Sequence, residues 1–400
     1  MYVSLLYLLN KKMQFLSKTV LKKFIKDEIA SVGFDESYVS HATKKHIFLS
    51  LKIFDVTPSQ ATIIKQTALS CGCDCAVNRG VIDCSVSFSD CLLSGSVSQL
   101  EHVAKKLSNQ PFSLSKLSKV LLKQLENELK PSQRPKIMGI LNLTPNSFSD
   151  GGEYVEIEKA INHAIDMIDS GADIIDIGAQ STKPYKPYAD LVSVVYEIEK
   201  VVPIVVALKK AYPHIEISVD TMTLGCAKAS IEAGADIIND VSFLNNVEFA
   251  NICREHNKKL VIMHSRGDSK TMDSLNYYSE IVDDIYKEIY EKAHLAESLG
   301  LDRENIIIDL GFGFAKDIAQ NFELLKRISE FKSMGYPIIA GVSRKRFMQD
   351  VINTKEPKDA DFVSAIAASY LMQNEIEYIR VHNVELTQQA RKFNDRLYHF

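Results

Sequence analysis

Short apolar runs and longer amphipathic stretches alternate along the chain from Lys136 to the C-terminus. This alternation is typical of βα units, whose strands form a parallel sheet. The pattern predicts strands at Lys136–Asn142, Asp173–Gly178, Glu216–Asp220, Asp236–Asp240, Lys259–His264, Asn305–Asp309, Pro337–Gly341 and Glu377–Val381. Eight units within about 265 residues fit a closed (β/α)8 barrel of the TIM type better than an open doubly wound sheet.

Polar residues or glycine stand at the C-terminal end of every predicted strand. They are Asn142, Gly178, Asp220, Asn239, His264, Asp309, Ser343 and His382. Any one of the Asn, Asp or Ser residues could simply cap the following helix. Because all eight strands end in this way, and because barrel active sites lie at this face, the pattern favours a functional site there.

Residues 1–130 follow a different pattern. It predicts helices near Val20–Val32, Ser59–Ser70, Ser98–Asn109 and Leu114–Leu129, a strand at His46–Val56, and a strand-like stretch over residues 81–96. A polar, proline-containing segment around Glu126–Arg134 indicates a linker. We therefore expect an α/β protein: a TIM-type (β/α)8 barrel over residues 136–400, preceded by a small α+β domain over residues 1–130 whose role the sequence does not indicate.

The composition is that of an ordinary globular protein, with 46% hydrophobic and 24% charged residues and a formal charge of −4. Nothing in this balance favours a nucleic-acid partner. No apolar run reaches the roughly 18 residues of a membrane span, and the first residues lack the features of a signal peptide. We expect a cytoplasmic protein without a membrane partner.

Five of the seven cysteines fall between Cys71 and Cys91. A metal or redox cluster is one interpretation. The C-x-C-x-C spacing is unusual for zinc and the stretch contains no histidine, so the pattern favours small buried side chains along a strand.

The segment ILNLTPNSFSDGG, residues 140–152, leaves the first predicted strand at Asn142. Its Thr, Pro, Ser and Gly residues predict a mobile catalytic loop, although turns at Pro145 and Gly151 could also be structural. Asn142 and Asp150 offer oxygen ligands of the hard type that Mg²⁺ prefers.

This segment resembles the first signature of dihydropteroate synthases, and six further motifs follow in the family's order. They are IGAQSTKP (177–184), SVDT (218–221), AGADIINDVS (233–242), DLGFGFAK (309–316), GVSRKRF (341–347) and IRVHNV (379–384). The resemblance implies a transferase of folate biosynthesis and a target of sulfonamides. It would condense 6-hydroxymethyl-7,8-dihydropterin diphosphate with p-aminobenzoate, giving 7,8-dihydropteroate and pyrophosphate. The N-terminal region resembles an extension found on some longer members.

The resemblance also implies residue roles, which divide among the ligands. The pterin would contact Asp220, Asn239, Asp309, Lys345 and Arg380; the pyrophosphate would contact Asn142, Thr182, Lys183, Arg380 and His382; p-aminobenzoate would contact Phe148, Pro184, Phe314 and Ser343. The metal ligands would be Asn142 and Asp150, and the catalytic residues Lys345, Arg380 and Asp150. A pterin presents adjacent N–H donors, which carboxylate and amide oxygens accept.

Two of these residues have structural alternatives. Asp309 could cap a helix or pair with Lys316, and Phe314 could belong to the core, where most phenylalanines lie. The chain also departs from the family pattern at four positions: Gln180 stands for an acid, Lys183 for an arginine, Leu310 for a proline and Asn383 for an acid. A lysine at 183 keeps the charge but loses the bidentate fork.

The mechanism implied by the family is displacement of pyrophosphate by the arylamine through a cation-like transition state, which calls for Mg²⁺ and cations around the leaving group. Two alternatives remain: a pterin-binding methyltransferase, whose barrel is similar, and a non-catalytic pterin-binding barrel. The SRK and RVH motifs speak against the first, and the retained candidate Mg²⁺ ligands speak against the second. A homodimer is left open.

Overall fold

The computed structural model describes residues 16–131, 133–143, 153–179, 193–267 and 271–398. The chain divides into two compact units, Met1–Lys130 and Pro131–Phe400. Among the described residues, no helix combines the length and the apolar composition that a membrane crossing requires.

The first unit is a three-stranded antiparallel sheet with helices. Its elements are α1 (Ile25–Ser31), α2 (Val39–His46), β1 (Phe48–Val56), α3 (Pro58–Leu69), β2 (Asp74–Val77), β3 (Ser89–Ser96), α4 (Val97–Leu107) and α5 (Leu114–Asn127). The strand order is β1-β3-β2. Helix α3 begins at a reciprocal cap, in which the Thr57 side chain accepts from the Gln60 N–H and the Gln60 side chain accepts from the Thr57 N–H.

Three details of this unit differ from the expectation. Helix α2 and strand β2 were not predicted, and the first half of the strand-like stretch is not a strand, because β3 begins only at Ser89. A turn of 3-10 helix at Arg79–Val81 and a positive φ of 55° at Cys84 interrupt the chain there. Val81 and Val86 pack into the core of the unit without needing an extended backbone, whereas Ile82 is exposed.

The cysteines of this unit are free thiols, as expected for small side chains rather than a disulfide framework. Cys73, Cys75 and Cys91 are buried in the core of the unit, whereas Cys84 is exposed. Only Cys75 lies within β2, but Cys73 and Cys75 are both buried on either side of exposed Asp74, which agrees with the expected alternation. In the described ranges no group of three His, Cys, Asp or Glu residues is arranged to hold a metal ion.

The second unit is a closed barrel of eight parallel strands. They are β4 (Lys136–Asn142), β5 (Ile174–Gly178), β6 (Glu216–Asp220), β7 (Ile237–Asp240), β8 (Lys259–Met263), β9 (Ile306–Asp309), β10 (Ile338–Ala340) and β11 (Tyr378–Val381). Each lies within one residue of its predicted ends, and the predicted TIM-type barrel is confirmed. The helices between and after the strands are α6 (Glu153–Asp169), α7 (Val194–Ala211), α8 (Leu224–Glu232), α9 (Glu248–Glu255), α10 (Ile281–Ser298), α11 (Ile318–Lys326), α12 (Arg346–Val351), α13 (Asp361–Gln373) and α14 (Val384–Tyr398).

The interior of the barrel changes from apolar to polar along the strands. Its buried apolar layer consists of Met138, Ile174, Ile237, Val261, Ile307, Ile339 and Tyr378. Because strand side chains alternate between the two faces, the next inward positions lie two residues further on. Several are polar: Asp176, Asn239, Asp309 and Arg380. The barrel is therefore packed below and polar at its C-terminal mouth.

Candidate active site

Nine of the predicted site residues are described, and the barrel places them at its C-terminal mouth. They are Asn142, Asp220, Asn239, Asp309, Phe314, Ser343, Lys345, Arg380 and His382. The remaining five lie outside the described residues: Phe148, Asp150, Thr182, Lys183 and Pro184.

Arg380 links three strands of the barrel mouth. Its Nε donates to Oδ2 of Asp176 at 2.6 Å, and its Nη2 donates to Oδ2 of Asp220 at 2.7 Å. Burial alone would lower the pKa of the guanidinium, but the two carboxylates outweigh it and raise the pKa. Arg380 is therefore a cation held in place by carboxylates of β5 and β6, with 19% of its side chain exposed.

Asp220 is a buried carboxyl at the end of β6. Burial raises its pKa to about 7; the positive charge of Arg380 opposes this shift, and the negative charge of Asp176 adds to it. Near neutral pH both protonation states are accessible, and the ionised form accepts hydrogen bonds from N–H donors.

Asn239, which lies beside Asp176 at the barrel mouth, carries a buried hydrogen-bond acceptor. Its Nδ2 donates to Asp176 Oδ2 at 3.4 Å, while its Oδ1 is buried and has no partner among the described residues. A buried polar atom without a partner costs free energy unless a ligand or water satisfies it. The amide thus suits a ligand with N–H groups.

Asp309 lies at the end of β9. Its Oδ1 accepts from the Gly311 N–H at 2.8 Å, and burial raises its pKa although the charge of Lys345 opposes the shift. Gly311 has φ +62°, and a Cβ there would lie 1.8 Å from the His264 carbonyl oxygen, so this tight turn requires glycine.

The charges of Asp309 and Lys316 act on each other's pKa values, but no hydrogen bond joins the two side chains in the described part of the chain. Lys316 Nζ instead donates to His264 Nδ1 at 2.9 Å and to the carbonyl oxygens of Gly311 and Phe314 at 3.0 and 2.9 Å. Burial holds the pKa of Lys316 well below its usual value. This lysine fastens the loop that follows Asp309.

Lys345 approaches the same loop from the other side. Its Nζ donates to the Phe312 carbonyl oxygen and lies 4.7 Å from the centroid of the Phe314 ring. Burial lowers its pKa to about 8, against the opposing charge of Asp309. Lys345 thus retains an ammonium near neutral pH in direct reach of the barrel mouth.

Ser343 and His382, which sequence reasoning assigned to different ligands, contact each other. Ser343 Oγ lies 3.1 Å from His382 Nδ1 and accepts from the His382 backbone N–H at 3.2 Å. The p-aminobenzoate and pyrophosphate assignments therefore fall on adjacent side chains, in the segments that follow β10 and β11.

Asn142 ends β4 and is only partly buried, beside Gly178 in the strand register. Its amide oxygen is a hard donor of the kind Mg²⁺ accepts. The other predicted Mg²⁺ ligand, Asp150, lies outside the described residues. The structure therefore describes only Asn142 of the two predicted ligands.

Sequence reasoning missed Asp176 and identified His264 only as a polar strand end, without its partners. Asp176 in β5 contacts Arg380 and Asn239, and His264 bridges Lys316 to Glu288, whose Oε2 lies 3.0 Å from His264 Nε2. The signal for Asp176 was present, because a carboxyl within the apolar run IIDIG must face the barrel interior if Ile175 and Ile177 face the helices.

Two departures from the family pattern have structural explanations. Leu310 is fully buried in the main core. Asn383 donates through Nδ2 to Asp361 at 3.0 Å and caps α14 by accepting from the Leu386 N–H at 3.0 Å. An acid at 383 would face the Asp361 carboxylate, which also binds Arg344.

Residues 138–382 match the family model described as pterin binding enzyme. A dihydropteroate synthase of Streptococcus pyogenes is 40% identical over 255 residues, which cover 63% of this chain and 91% of that protein. A probable bifunctional folylpolyglutamate synthase/dihydropteroate synthase of Halobacterium salinarum is 36% identical over 337 residues. The match covers 82% of this chain but 40% of that relative's length. Because the barrel unit begins at Pro131, this alignment extends into the N-terminal unit.

Solved structures of dihydropteroate synthases are also similar to this chain. The dihydropteroate synthase of Clostridium difficile, crystallised in the presence of pteroic acid, is 35% identical with a TM-score of 0.62, covering 67% of this chain and 98% of that one. The Yersinia pestis dihydropteroate synthase in complex with a sulfonamide drug is 31% identical with a TM-score of 0.61, covering 68% and 96%. The match therefore spans almost the whole of each solved chain. By family model, identity and fold, this chain belongs to the dihydropteroate synthase family of pterin binding enzymes.

Proposed function

We propose that this chain is a transferase that condenses 6-hydroxymethyl-7,8-dihydropterin diphosphate with p-aminobenzoate, forming 7,8-dihydropteroate and pyrophosphate. The observation that carries the proposal is the set of buried groups at the barrel mouth. Asp220, Asp309 and Asn239 offer acceptors for a pterin's N–H edge, while Lys345 and Arg380 supply cations.

In the proposed reaction, the amine nitrogen of p-aminobenzoate attacks the exocyclic methylene carbon of the pterin. A C–N bond forms with the nitrogen lone pair, the C–O bond to pyrophosphate breaks, and its electron pair leaves on the pyrophosphate oxygen. The arylammonium then loses a proton to water. Charge thus accumulates on the leaving group, and fixed cations such as Arg380 stabilise it.

The pKa values support a pterin site in this barrel rather than a simple structural ion-pair network. Strongly shifted carboxyl and ammonium groups in one cleft are typical of functional sites. The raised pKa of Asp220 and the lowered pKa of Lys345 meet this description. Ionised Asp220 would bind the pterin, and protonated Lys345 would offset the negative charge beside it.

We also propose a Mg²⁺ ion held by Asn142 and Asp150. When bound, the ion would supply positive charge to the pyrophosphate. The Asn142 amide at the end of β4 suits this role chemically. The cytoplasmic location stays a prediction, as do the roles of Thr182, Lys183, Phe148 and Pro184, and a homodimer stays open.

For p-aminobenzoate we propose the space beside Phe314 and Ser343. The Phe314 ring is 9% exposed beneath the Lys345 ammonium, and the Ser343 hydroxyl lies beside His382. An aromatic surface and a hydroxyl donor suit a benzoate ring and its carboxylate.

The test is product identification. The purified chain is incubated with the pterin diphosphate, p-aminobenzoate and Mg²⁺, and 7,8-dihydropteroate is sought by mass spectrometry. The proposal predicts this product only when both substrates are present. A methyltransferase or a non-catalytic barrel would yield none, even if the pterin binds.

A further inference from the structure

Asp176 belongs to the polar layer at the barrel mouth, together with Asn239, Asp309 and Arg380. It is 1% exposed, and its Oδ2 accepts from Arg380 Nε at 2.6 Å and from Asn239 Nδ2 at 3.4 Å. Through Arg380 it is also joined to Asp220, whose Oδ2 accepts from Nη2 at 2.7 Å. One carboxylate on β5 therefore orders side chains from β6, β7 and β11.

The geometry leaves the functional faces of both partners available. A guanidinium has five N–H donors. Two of those of Arg380 point to the carboxylates, and no hydrogen bond from the others joins another described residue. Asn239 likewise gives its Nδ2 to Asp176 and keeps its buried Oδ1 unpaired within the described part of the chain.

We infer that Asp176 is a positioning residue, which fixes the guanidinium plane of Arg380 and the amide orientation of Asn239 for the pterin substrate. This inference rests on the proposed function, since it assigns both partners to the pterin site. Asp176 acts through Arg380 and Asn239 rather than by contact with the reacting atoms.

A purely structural role is the competing explanation, and the same barrel contains a matched case. Asp173, three residues earlier, pairs with buried Arg391 and accepts from the Ile137 N–H at 2.7 Å. That pair lies at the N-terminal end of β5, opposite the mouth. A buried ion pair need not stabilise a protein more than apolar packing would. The pair at the mouth differs in that its partners face the site.

Electrostatics supply an independent readout. The charged groups that act on Asp220 are Arg380, Asp176, Glu197 and Lys345, and the negative charge of Asp176 contributes to the raised pKa of Asp220. Removing that charge should lower the pKa of Asp220. Pterin binding, which needs the ionised carboxylate, should then persist to lower pH.

Three variants separate charge, geometry and fold. Asp176→Asn removes the charge at constant shape, Asp176→Glu keeps the charge but displaces Arg380 by one methylene, and Asp173→Asn is the control at the far end of the barrel. Binding of the pterin diphosphate is measured by calorimetry from about pH 5.5 to about pH 8.5, across the pKa range of the site carboxyls, with kcat and both KM values measured alongside.

We expect Asp176→Asn to weaken pterin binding about tenfold at high pH, because a charge-assisted hydrogen bond becomes a neutral one. The acid limb of its binding profile should move to lower pH. Asp176→Glu should keep the wild-type acid limb but lose kcat. Asp173→Asn should lower thermal stability without moving the profile.

An unmoved acid limb in Asp176→Asn, or an equal shift in Asp173→Asn, would overturn the inference. If Asp176→Asn does not fold, Asp176→Glu carries the test, and wild-type kcat in that variant would overturn it. Failure of the wild-type chain to bind the pterin diphosphate would instead contradict the proposed function itself.

Discussion

Lys316 Nζ lies 2.9 Å from Nδ1 of His264, beneath the barrel mouth. The ionised Glu288 carboxylate can only accept, so Nε2 of His264, 3.0 Å from it, carries the ring proton, and Nδ1 of the neutral imidazole accepts from Lys316. Burial, with the nearby charge of Lys316, lowers the pKa of His264 to about 3. A neutral imidazole thus ties the end of β8 to the loop after β9.

This contact predicts acid sensitivity of the barrel. In the unfolded chain a histidine binds a proton below about pH 6.5, whereas folded His264 stays neutral until about pH 3. Its contribution to stability is therefore complete above pH 6.5 and is lost as the pH falls toward 3. In His264→Gln, the slope of the free energy of unfolding between about pH 6.5 and pH 5 should be shallower by about 1.4 kcal/mol per pH unit, one proton's worth.

Urea unfolding followed by circular dichroism measures this slope. His264→Gln should also be less stable than the wild type at pH 7.5, by about 1–3 kcal/mol, because the buried partners lose a well-aligned ring. The matched control is His294→Gln, since the His294 side chain is 63% exposed. Equal slopes for the two variants would rule out a neutral buried His264.

Lys316→Met tests whether the same contact prepares the p-aminobenzoate site. The change removes the donor to the Gly311 and Phe314 carbonyl oxygens. We expect the KM for p-aminobenzoate to rise about tenfold, of the order of one buried hydrogen bond. The control is Lys326→Met, on a side chain that is 74% exposed. A loss of thermal stability with an unchanged KM would limit Lys316 to a structural role.

The sequence predicted the barrel well because its signal is local. Each strand is a short apolar run between amphipathic stretches, and both predicted ends of all eight strands lie within one residue of the observed ends. The short strand Asp74–Val77 was missed because its four residues carry too little pattern and are held by pairing with β3. Periodicity identifies the face of a residue but not its partner.

The same limit applies to the site. Resemblance supplied Asp220, Asn239 and Arg380, but not the carboxylate of Asp176 that joins two of them. Asp176 and Arg380 are 204 positions apart in the chain, so no sequence pattern relates them. Only closure of the barrel brings the side chains of β5 and β11 into the same polar layer at the mouth.

Lys345→Ala should abolish synthase activity while the barrel stays folded. The Lys345 ammonium reaches the barrel mouth rather than the core, and its loss should reduce kcat/KM by about 100-fold or more, as for other preorganised charged groups. Exposed Lys355→Ala is the control. Because the pKa of Lys345 is lowered to about 8, wild-type activity should also decline as the pH rises above that value. Unfolding of the variant, seen by circular dichroism, would make Lys345 structural.

Sulfonamides should inhibit by competing with p-aminobenzoate. They resemble it in size, aniline nitrogen and acidic head, and the Yersinia pestis relative forms a sulfonamide complex. Steady-state kinetics at varied p-aminobenzoate should show a raised KM and an unchanged kcat. Non-competitive inhibition would move the pocket away from Phe314 and Ser343.

The most direct test of the central claim is release of pyrophosphate by the purified chain with Mg²⁺. We predict release only when the pterin diphosphate and p-aminobenzoate are both present, in a one-to-one ratio with 7,8-dihydropteroate, and its loss in Lys345→Ala. Pyrophosphate release that does not depend on p-aminobenzoate, or no release from a folded chain that binds the pterin, would contradict the account.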